Sequence, residues 1–155
     1  MGVSGVGKTT ISKLLAEATC LPFYDADNYH SDANIAKMAA GIPLIDVDRQ
    51  EWLVQLHELL QTQLTITGCI LACSALKEKY RELFESNLAN VNFVYLKGSY
   101  QEVLKRLEGR KGHYMNPDLL QSQFDILEEP TNALTISIQL SVEDIVATIV
   151  KQFSL

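Results

Sequence analysis

The chain has 155 residues, of which 47% are hydrophobic and 21% charged, proportions typical of one folded domain with its own core. Its net charge of −6 argues against nucleic acid as the main partner, because nucleic-acid binding favours a concentration of positive charge. No apolar run approaches the ~20 residues of a membrane span and no signal peptide is recognised, so we expect a cytoplasmic protein without a membrane partner. The three cysteines, Cys20, Cys69 and Cys73, are expected to be free thiols in that reducing compartment. We therefore predict a single domain covering residues 1–155.

The first motif is a phosphate-binding loop, Gly-Val-Ser-Gly-Val-Gly-Lys-Thr, at residues 2–9. Its glycines let the backbone curl so that successive N–H groups point at an anion, and the helix that follows adds its positive N-terminal end. Lys8 is expected to reach the terminal phosphates of a nucleotide, and the Thr9 hydroxyl to bind the magnesium ion that bridges them. A chance glycine-rich turn is the alternative, which the complete spacing and the Lys-Thr ending disfavour. The predicted nucleotide-binding residues of the loop are Gly2, Val3, Ser4, Gly5, Val6, Gly7, Lys8 and Thr9.

Only Met1 precedes this loop in the sequence. A buried parallel strand that leads into such a loop needs about five apolar residues. We therefore expect the first strand of the sheet to be missing from this chain, or its place to be filled in another way. We also expect the chain to be less stable and less active than a version extended by such a strand.

Short apolar runs alternate with helical patterns along the rest of the chain, which predicts an α/β fold, a P-loop NTPase-like parallel sheet with helices on both faces. In the first half we predict a helix from Lys8 to Thr19, a strand at 21–24, a helix at 31–40 capped by Ser31, a helix opened by a capping box of Asp48 and Glu51, and a strand at 69–73. In the second half we predict a helix at 76–87, a strand at 92–96, a helix capped by Ser99 and Glu102 that ends at Gly109, a helix from Pro117, a strand at 133–138 and a helix with apolar residues from 142 to 153.

Two carboxylates, Asp25 and Asp27, follow the first predicted strand, at the sheet edge where ligands bind in open α/β folds. Such a pair can divide the work of phosphoryl transfer: one holds magnesium through water, and the other accepts the proton of the attacking hydroxyl. The alternative is a pair of loop aspartates that make turn and cap hydrogen bonds.

Positive charge is concentrated locally at Lys105, Arg106, Arg110 and Lys111. In an acidic protein this cluster is either a solvated helix face or a clamp for phosphate groups.

Motifs along nearly the whole chain resemble those of the gluconokinases, a family of P-loop small-molecule kinases. Ser31 and Glu51 stand where the family usually has proline, and Ile45 stands at a commonly polar position. The matching runs are Phe23-Tyr-Asp-Ala-Asp-Asn-Tyr-His30, Asn34-x-x-Lys37-Met38, Gly41-Ile-Pro-Leu-Ile-Asp46-Val-Asp48-Arg49, Trp52-Leu53, Cys73-Ser-Ala-Leu-Lys77, Tyr80-Arg81, Tyr95-Leu-Lys-Gly98, Arg110-Lys-Gly-His113, Gln123-Phe and Leu127-Glu128-x-Pro130.

The resemblance implies ATP-dependent phosphorylation of D-gluconate to 6-phospho-D-gluconate, with ATP and Mg2+ as cofactors and a homodimeric assembly. Asp27 is then the acceptor of the hydroxyl proton, Asp25 lies near the metal through water with Thr9, and Arg106 and Arg110 bind the nucleotide. Arg110 belongs to a lid at about residues 106–117 and can stabilise charge on the transferring phosphoryl group. The implied catalytic residues are Lys8, Asp27 and Arg110, and those implied to hold the carboxylate and polyol chain of the substrate are Asp27, His30, Lys37, Arg49, Lys77 and Arg81.

Other interpretations remain open at the level of sequence. Lys77 and Arg81, four residues apart, could form a solvated helix face, and His30 could be a simple loop residue. A related enzyme of the shikimate kinase type is an alternative activity, although the runs at 34–38 and 73–77 argue against it. A third alternative is a non-catalytic relative that keeps the interaction surface of the fold.

Overall fold

The computed structural model describes residues 1–109 and 117–155, and its helices and strands alternate as the sequence predicts. The first half contains α1 (Lys8–Thr19), β1 (Phe23–Asp25), a 3-10 turn (Ala26–Tyr29), α2 (Asp32–Ala39), α3 (Asp46–Leu64) and β2 (Ile70–Ala72). The second half contains α4 (Glu78–Glu85), β3 (Val94–Lys97), α5 (Tyr100–Glu108), α6 (Pro117–Asp125), β4 (Leu134–Ser137) and α7 (Val142–Phe153).

The four strands form two parallel pairs. In the first pair, β1 runs beside β2 with Phe23 opposite Ile70 and Asp25 opposite Ala72. In the second pair, β3 runs beside β4 in the same parallel sense. The predicted parallel strand direction is therefore confirmed, and the carboxyl ends of β1 and β2 reach a common edge.

The backbone of Met1 and Gly2 bridges the two pairs. The Met1 nitrogen donates a hydrogen bond to the Val94 carbonyl, and the Met1 carbonyl accepts one from the Leu96 N–H at 3.0 Å. On the other side, the Gly2 N–H donates to the Ser74 carbonyl at 3.1 Å. These two residues thus make the hydrogen bonds of a parallel strand placed between β2 and β3.

A cleft of about 600 Å³ lies between the facing edges of β2 and β3. Among the described residues, no element other than Met1 and Gly2 pairs with these two edges. The cleft is bordered by α1, α3 and α7 as well as by the strands, and its apolar lining includes Ile11, Leu15, Leu60, Leu64, Ile149 and Phe153.

Two groups of buried side chains form the core. One group joins the phosphate loop to α1, α5, α7 and the second strand pair, with Val3, Val6 and Val103 almost fully buried. The other joins α3 and α4 to β2, with Leu56 and Phe84 at its centre. In the part of the chain that the structure describes, no helix is long and apolar enough to cross a membrane.

The cysteines are free, as predicted. Cys73 is buried, Cys69 is half-buried, and Cys20 is exposed. Burial raises the pKa of the Cys73 thiol to about 12 and that of Cys69 to about 11, so both stay protonated and unreactive at neutral pH.

Two helix starts differ from the predictions. The third helix begins at Asp46 rather than Asp48, because the Asp48 carboxylate accepts the Ile45 N–H at 3.0 Å; the predicted capping box of Asp48 and Glu51 is wrong. The fourth begins at Glu78 rather than Leu76, because the Glu128 carboxylate accepts the Glu78 N–H at 2.6 Å. The predicted caps at Ser31 and Ser99 and both ends of α1 are confirmed.

A designed apolar strand fused before Met1 should stabilise the protein. It would pair with the open edges of β2 and β3 and bury side chains in the cleft, and each fully buried Val or Leu contributes ~1.5–3 kcal/mol. We expect the melting temperature to rise by at least about 4 °C for a chain of this size, with higher kinase activity. A Gly/Ser extension of equal length is the matched control, and equal melting points and activities for the two extensions would contradict this account.

Candidate active site

The phosphate loop has the curled backbone that its sequence predicts. Gly2, Gly5 and Gly7 have φ values of 135°, 88° and 100°, in the region that favours glycine. A Cβ atom on Gly2 would lie 2.9 Å from the Leu96 carbonyl oxygen, and one on Gly5 would lie 2.9 Å from Cγ of Leu107. Steric contact with neighbouring atoms, as well as the positive φ angle, therefore requires glycine at both positions.

The loop leads directly into the N-terminus of α1, where Gly7 is the N-cap residue and supplies no side-chain hydrogen bond. The N–H groups of this first turn and the helix dipole attract an anion. The Lys8 ammonium group folds back over the loop, where it donates to the carbonyls of Gly2 at 3.0 Å and Val3 at 2.9 Å. Its charge thus lies beside the position that phosphates are expected to take.

Two of the predicted metal-site residues meet at the start of α1. The Thr9 hydroxyl donates to Oδ2 of Asp25 at 2.8 Å, which joins the N-terminus of α1 to the C-terminus of β1. The other oxygen of Asp25 accepts the Asp27 N–H at 3.2 Å and caps the 3-10 turn. Asp25 therefore makes the cap bond considered from sequence and also contacts Thr9, the residue predicted to bind magnesium.

Trp52 on α3 fixes the turn that carries Asp27. Its indole N–H donates to the Ala26 carbonyl at 2.7 Å, and its ring stacks on His30 with centroids 4.6 Å apart and 9° between the planes. Burial is the main cause that lowers the pKa of His30, opposed by the negative charge of Asp27 and reinforced by Arg49. His30 is accordingly neutral at pH 7, and its ring is held against Trp52.

The first turn of α3 organises the predicted substrate-binding cations. Lys37 forms an ion pair with Asp48 at 2.6 Å, and Lys77 forms one with Asp46 at 2.8 Å. Arg49 donates to the Leu44 carbonyl at 2.6 Å. His30, Lys37, Arg49 and Lys77 are thus brought together around the start of α3.

Asp46 is an acceptor for three donors. Besides Lys77, it accepts hydrogen bonds from Lys79 at 2.5 Å and from the Tyr80 hydroxyl. These hydrogen bonds hold the pKa of the Asp46 carboxyl well below its usual range. Burial and the hydrogen bond to Asp46 raise the pKa of Tyr80 to about 12, so the phenol remains a donor. The sequence places Asp46 in a matching run without indicating a role for it, although an acidic residue in the first turn of a helix is favourably placed.

Arg81, one of the predicted substrate-binding residues, contacts the backbone of the protein itself. Its side chain is buried, and its guanidinium group donates to the carbonyls of Ala75 at 3.0 Å and Leu76 at 3.3 Å. Lys77 is the N-cap residue of α4. The pair does not form a solvated helix face, and Arg81 instead holds the turn that presents Lys77.

Of the two arginines predicted to bind the nucleotide, the structure describes Arg106. Arg106, in the last turn of α5, donates to the Ile138 carbonyl just after β4, which fixes its guanidinium group and rules out a purely solvated position. Arg110, Lys111 and most of the predicted lid at 106–117 lie outside the described residues.

Gln123 of α6 contacts both the backbone and the side chain of Ser4 in the phosphate loop. Gln123 lies in one of the runs that resemble the gluconokinases, but no spacing pattern in the sequence indicates its contact with Ser4.

Comparisons with known proteins find kinases that match almost the whole chain. The family model described as shikimate kinase matches residues 4–152. A probable gluconokinase of Mus musculus is 42% identical over 172 aligned residues, which cover 97% of this chain and 94% of that protein. The thermoresistant gluconokinase of Escherichia coli is 38% identical, with 97% of this chain and 89% of that protein covered.

Solved structures agree as well. A sugar kinase from Janibacter, solved without ligand, is 38% identical, with a TM-score of 0.92 and coverage of 99% of this chain and 91% of that one. A gluconokinase from Sinorhizobium meliloti is 35% identical, with a TM-score of 0.85 and coverage of 99% and 93%. A shikimate kinase from Bacteroides thetaiotaomicron, at 18% identity and a TM-score of 0.67, shares the fold.

Replacing Arg81 by methionine should reduce stability. The change leaves the carbonyls of Ala75 and Leu76 without their buried donor, and each unsatisfied group costs about 1–3 kcal/mol. We expect a melting temperature lower by at least about 2 °C at this chain length. Glu82→Met, on the exposed next position of α4, is the control. An unchanged melting temperature, together with weaker binding of the acceptor substrate, would instead assign Arg81 to direct substrate contact.

Proposed function

The chain belongs to the gluconokinase family of P-loop kinases, and from that premise we propose that it transfers the γ-phosphoryl group of ATP to the terminal hydroxyl of D-gluconate. The products are 6-phospho-D-gluconate and ADP. The observation that carries the proposal is the identity of about two residues in five with gluconokinases, which extends over almost the whole chain: 42% over 97% of it for the mouse protein. The solved shikimate kinase compared above is only 18% identical, so its similarity indicates a shared fold and does not indicate a shared substrate.

The phosphate side of the reaction is assigned to the loop and α1. The inward backbone N–H groups of the loop and the Lys8 ammonium group bind the β- and γ-phosphates and neutralise charge on the transferring group. The Thr9 hydroxyl and the Asp25 carboxylate, whose oxygens are 2.8 Å apart, fit a magnesium ion, which prefers oxygen ligands and keeps several waters. A magnesium ion held there would offset the negative charge of the phosphates. Among the described residues there is no cluster of three or more His, Cys, Asp or Glu side chains for a metal, so the protein ligands that we propose are Thr9 and Asp25.

The acceptor side is assigned to the 3-10 turn after β1. Asp27 is exposed on this turn, and Asp25 and Trp52 fix the turn through its backbone. Asp27 accepts the proton of the gluconate hydroxyl as the oxygen attacks the γ-phosphorus and the bond to the β-phosphate oxygen breaks. His30, neutral and held against Trp52, donates a hydrogen bond to the polyol chain and orients it.

The gluconate carboxylate is assigned to the cations at the start of α3. Lys77, Lys37 and Arg49 supply positive charge there, and ion pairs with Asp46 and Asp48 hold the two lysines at this helix start. Arg81 acts indirectly, through the turn before Lys77. Arg106 contributes to the nucleotide site, and Arg110 remains our prediction for the group that stabilises the transferring phosphoryl.

Two properties of the whole protein are further proposals. The free cysteines fit a reducing, cytoplasmic environment. A homodimer fits the family resemblance, and light scattering on the purified protein tests it.

A substrate panel tests the proposal as a whole. Coupled ADP detection should show turnover with D-gluconate and ATP and little with shikimate. Turnover with shikimate alone would assign the shikimate kinase activity. A folded protein that binds ATP and phosphorylates neither acid would support the non-catalytic alternative.

Lys8→Ala should abolish phosphoryl transfer in a folded protein. The loss should be at least ~100-fold, the effect of removing one preorganised charge stabiliser. The Lys8 ammonium group contacts loop carbonyls and contributes little to the core, so the melting temperature should change little. Lys151→Ala, on the exposed surface of α7, is the control. Near-normal turnover in the folded variant would contradict the assignment of residues 2–9 as the phosphate-binding loop.

Asp27→Asn should reduce turnover far more than ATP binding. The amide keeps the shape of the side chain but cannot accept the hydroxyl proton, a contribution of roughly 10²–10⁴-fold in rate. Nucleotide affinity and turnover are measured on one preparation, with Asp32→Asn, exposed at the start of α2, as the control. If affinity and turnover fall together, Asp27 serves the metal or the fold, and the proton acceptor is another residue.

A further inference from the structure

One side chain outside the phosphate loop contacts it through two hydrogen bonds. Oε1 of Gln123, on α6, accepts the Ser4 N–H at 2.7 Å, and Nε2 of the same amide donates to Oγ of Ser4 at 3.0 Å. The two residues are 119 positions apart in sequence, so the contact is formed by the tertiary fold. A single amide thus binds both the backbone and the side chain of one loop residue.

The chemistry of the donors fixes the orientation of this amide. A backbone N–H can only donate, so the oxygen of Gln123 must face it, and the amide nitrogen then faces the Ser4 hydroxyl. Because that hydroxyl oxygen accepts from Gln123, its own hydrogen remains available as a donor. The Ser4 N–H donates its hydrogen bond to Gln123 on α6 and does not point at the phosphate position. This contact holds Ser4 against α6, while the rest of the loop curls around the phosphate position.

The helix that carries Gln123 is firmly packed. Leu120, one turn earlier, is fully buried, and the ring of Phe124 packs edge-on against Tyr100 of α5 with centroids 5.6 Å apart. Gln123 therefore reaches the loop from a rigid support. The loop itself contains three glycines with positive φ, and such a backbone loses much conformational freedom when it binds a ligand.

We propose that Gln123 is a positioning residue for nucleotide binding, which holds the phosphate loop through Ser4 in the curled conformation that ATP requires. The inference rests on the proposed kinase function but concerns the nucleotide alone. A loop that is already ordered loses less conformational entropy when ATP binds. The hydrogen bonds of Gln123 should therefore increase the affinity of the protein for ATP. They should leave the affinity for the acceptor substrate unchanged, because the acceptor residues lie on the turn after β1, on α2 and α3, and at the start of α4.

Gln123→Met tests this role, since methionine has a similar length and volume and forms neither hydrogen bond. We expect the Kd of ATP, measured by direct titration, to rise about tenfold for the two lost bonds. The KM for ATP should rise in parallel, with the KM for the acceptor unchanged. The matched control is Gln121→Met on the exposed face of the same helix, where Gln121 donates a hydrogen bond to the nearby Asp125 at 2.7 Å. Its Kd for ATP should equal that of the wild type.

A double-mutant cycle distinguishes positioning through Ser4 from a general effect on α6. Ser4→Ala removes the hydroxyl contact, so its effect on the ATP Kd should be smaller in the Gln123→Met background than in the wild type. Additive effects would contradict the proposal. So would a lower melting temperature for Gln123→Met with an unchanged ATP Kd, because that result describes a purely structural residue.

The readout also separates this inference from the proposed function. A wild-type protein that binds ATP but does not phosphorylate gluconate would overturn the function, while the ATP Kd of the variants would still decide the role of Gln123. Conversely, normal gluconate turnover with an unchanged ATP Kd in Gln123→Met would overturn only the positioning role.

Discussion

The hydrogen bond between the Thr9 hydroxyl and the Asp25 carboxylate joins the two halves of the candidate site. Thr9 belongs to the phosphate loop and α1, and Asp25 ends the strand whose next turn carries Asp27. The contact therefore sets the distance between the group that would hold ATP and the group that would activate its acceptor. Phosphoryl transfer depends chiefly on such positioning and on electrostatic stabilisation, since the protein itself forms no bond to the phosphorus.

The acceptor half depends on the N-terminal turn of α3. Asp46 and Asp48 are favourably placed at the positive end of that helix, and their charges hold Lys77 and Lys37 nearby. Trp52, one turn further along, fixes the Asp27 turn through Ala26 and supports His30 by stacking. One helix thus orients the residues proposed for the substrate carboxylate and the residues proposed for the proton transfer.

Sequence reasoning predicted the phosphate loop, α1, the parallel strands and the position of Asp25 and Asp27, because each follows from local spacing or from a short apolar run. It failed where distant segments decide the structure. The starts of α3 and α4 are set by Asp48 with Ile45 and by Glu128 with Glu78, and the second of these contacts spans 50 positions. The burial of Arg81 and the contact of Gln123 with Ser4 also depend on tertiary packing, which residue spacing does not encode.

The central claim is that the Thr9 and Asp25 pair aligns a magnesium nucleotide with a hydroxyl held at Asp27. A crystal structure with Mg2+, a non-hydrolysable ATP analogue and gluconate tests it most directly. The account predicts a metal about 2.0–2.1 Å from the Thr9 hydroxyl oxygen and linked to Asp25 through water. It also predicts the terminal gluconate hydroxyl within hydrogen-bond distance of the Asp27 carboxylate, about 2.5–3.0 Å. Gluconate bound with its terminal hydroxyl away from Asp27, or a metal with neither Thr9 nor Asp25 in its surroundings, would contradict the account.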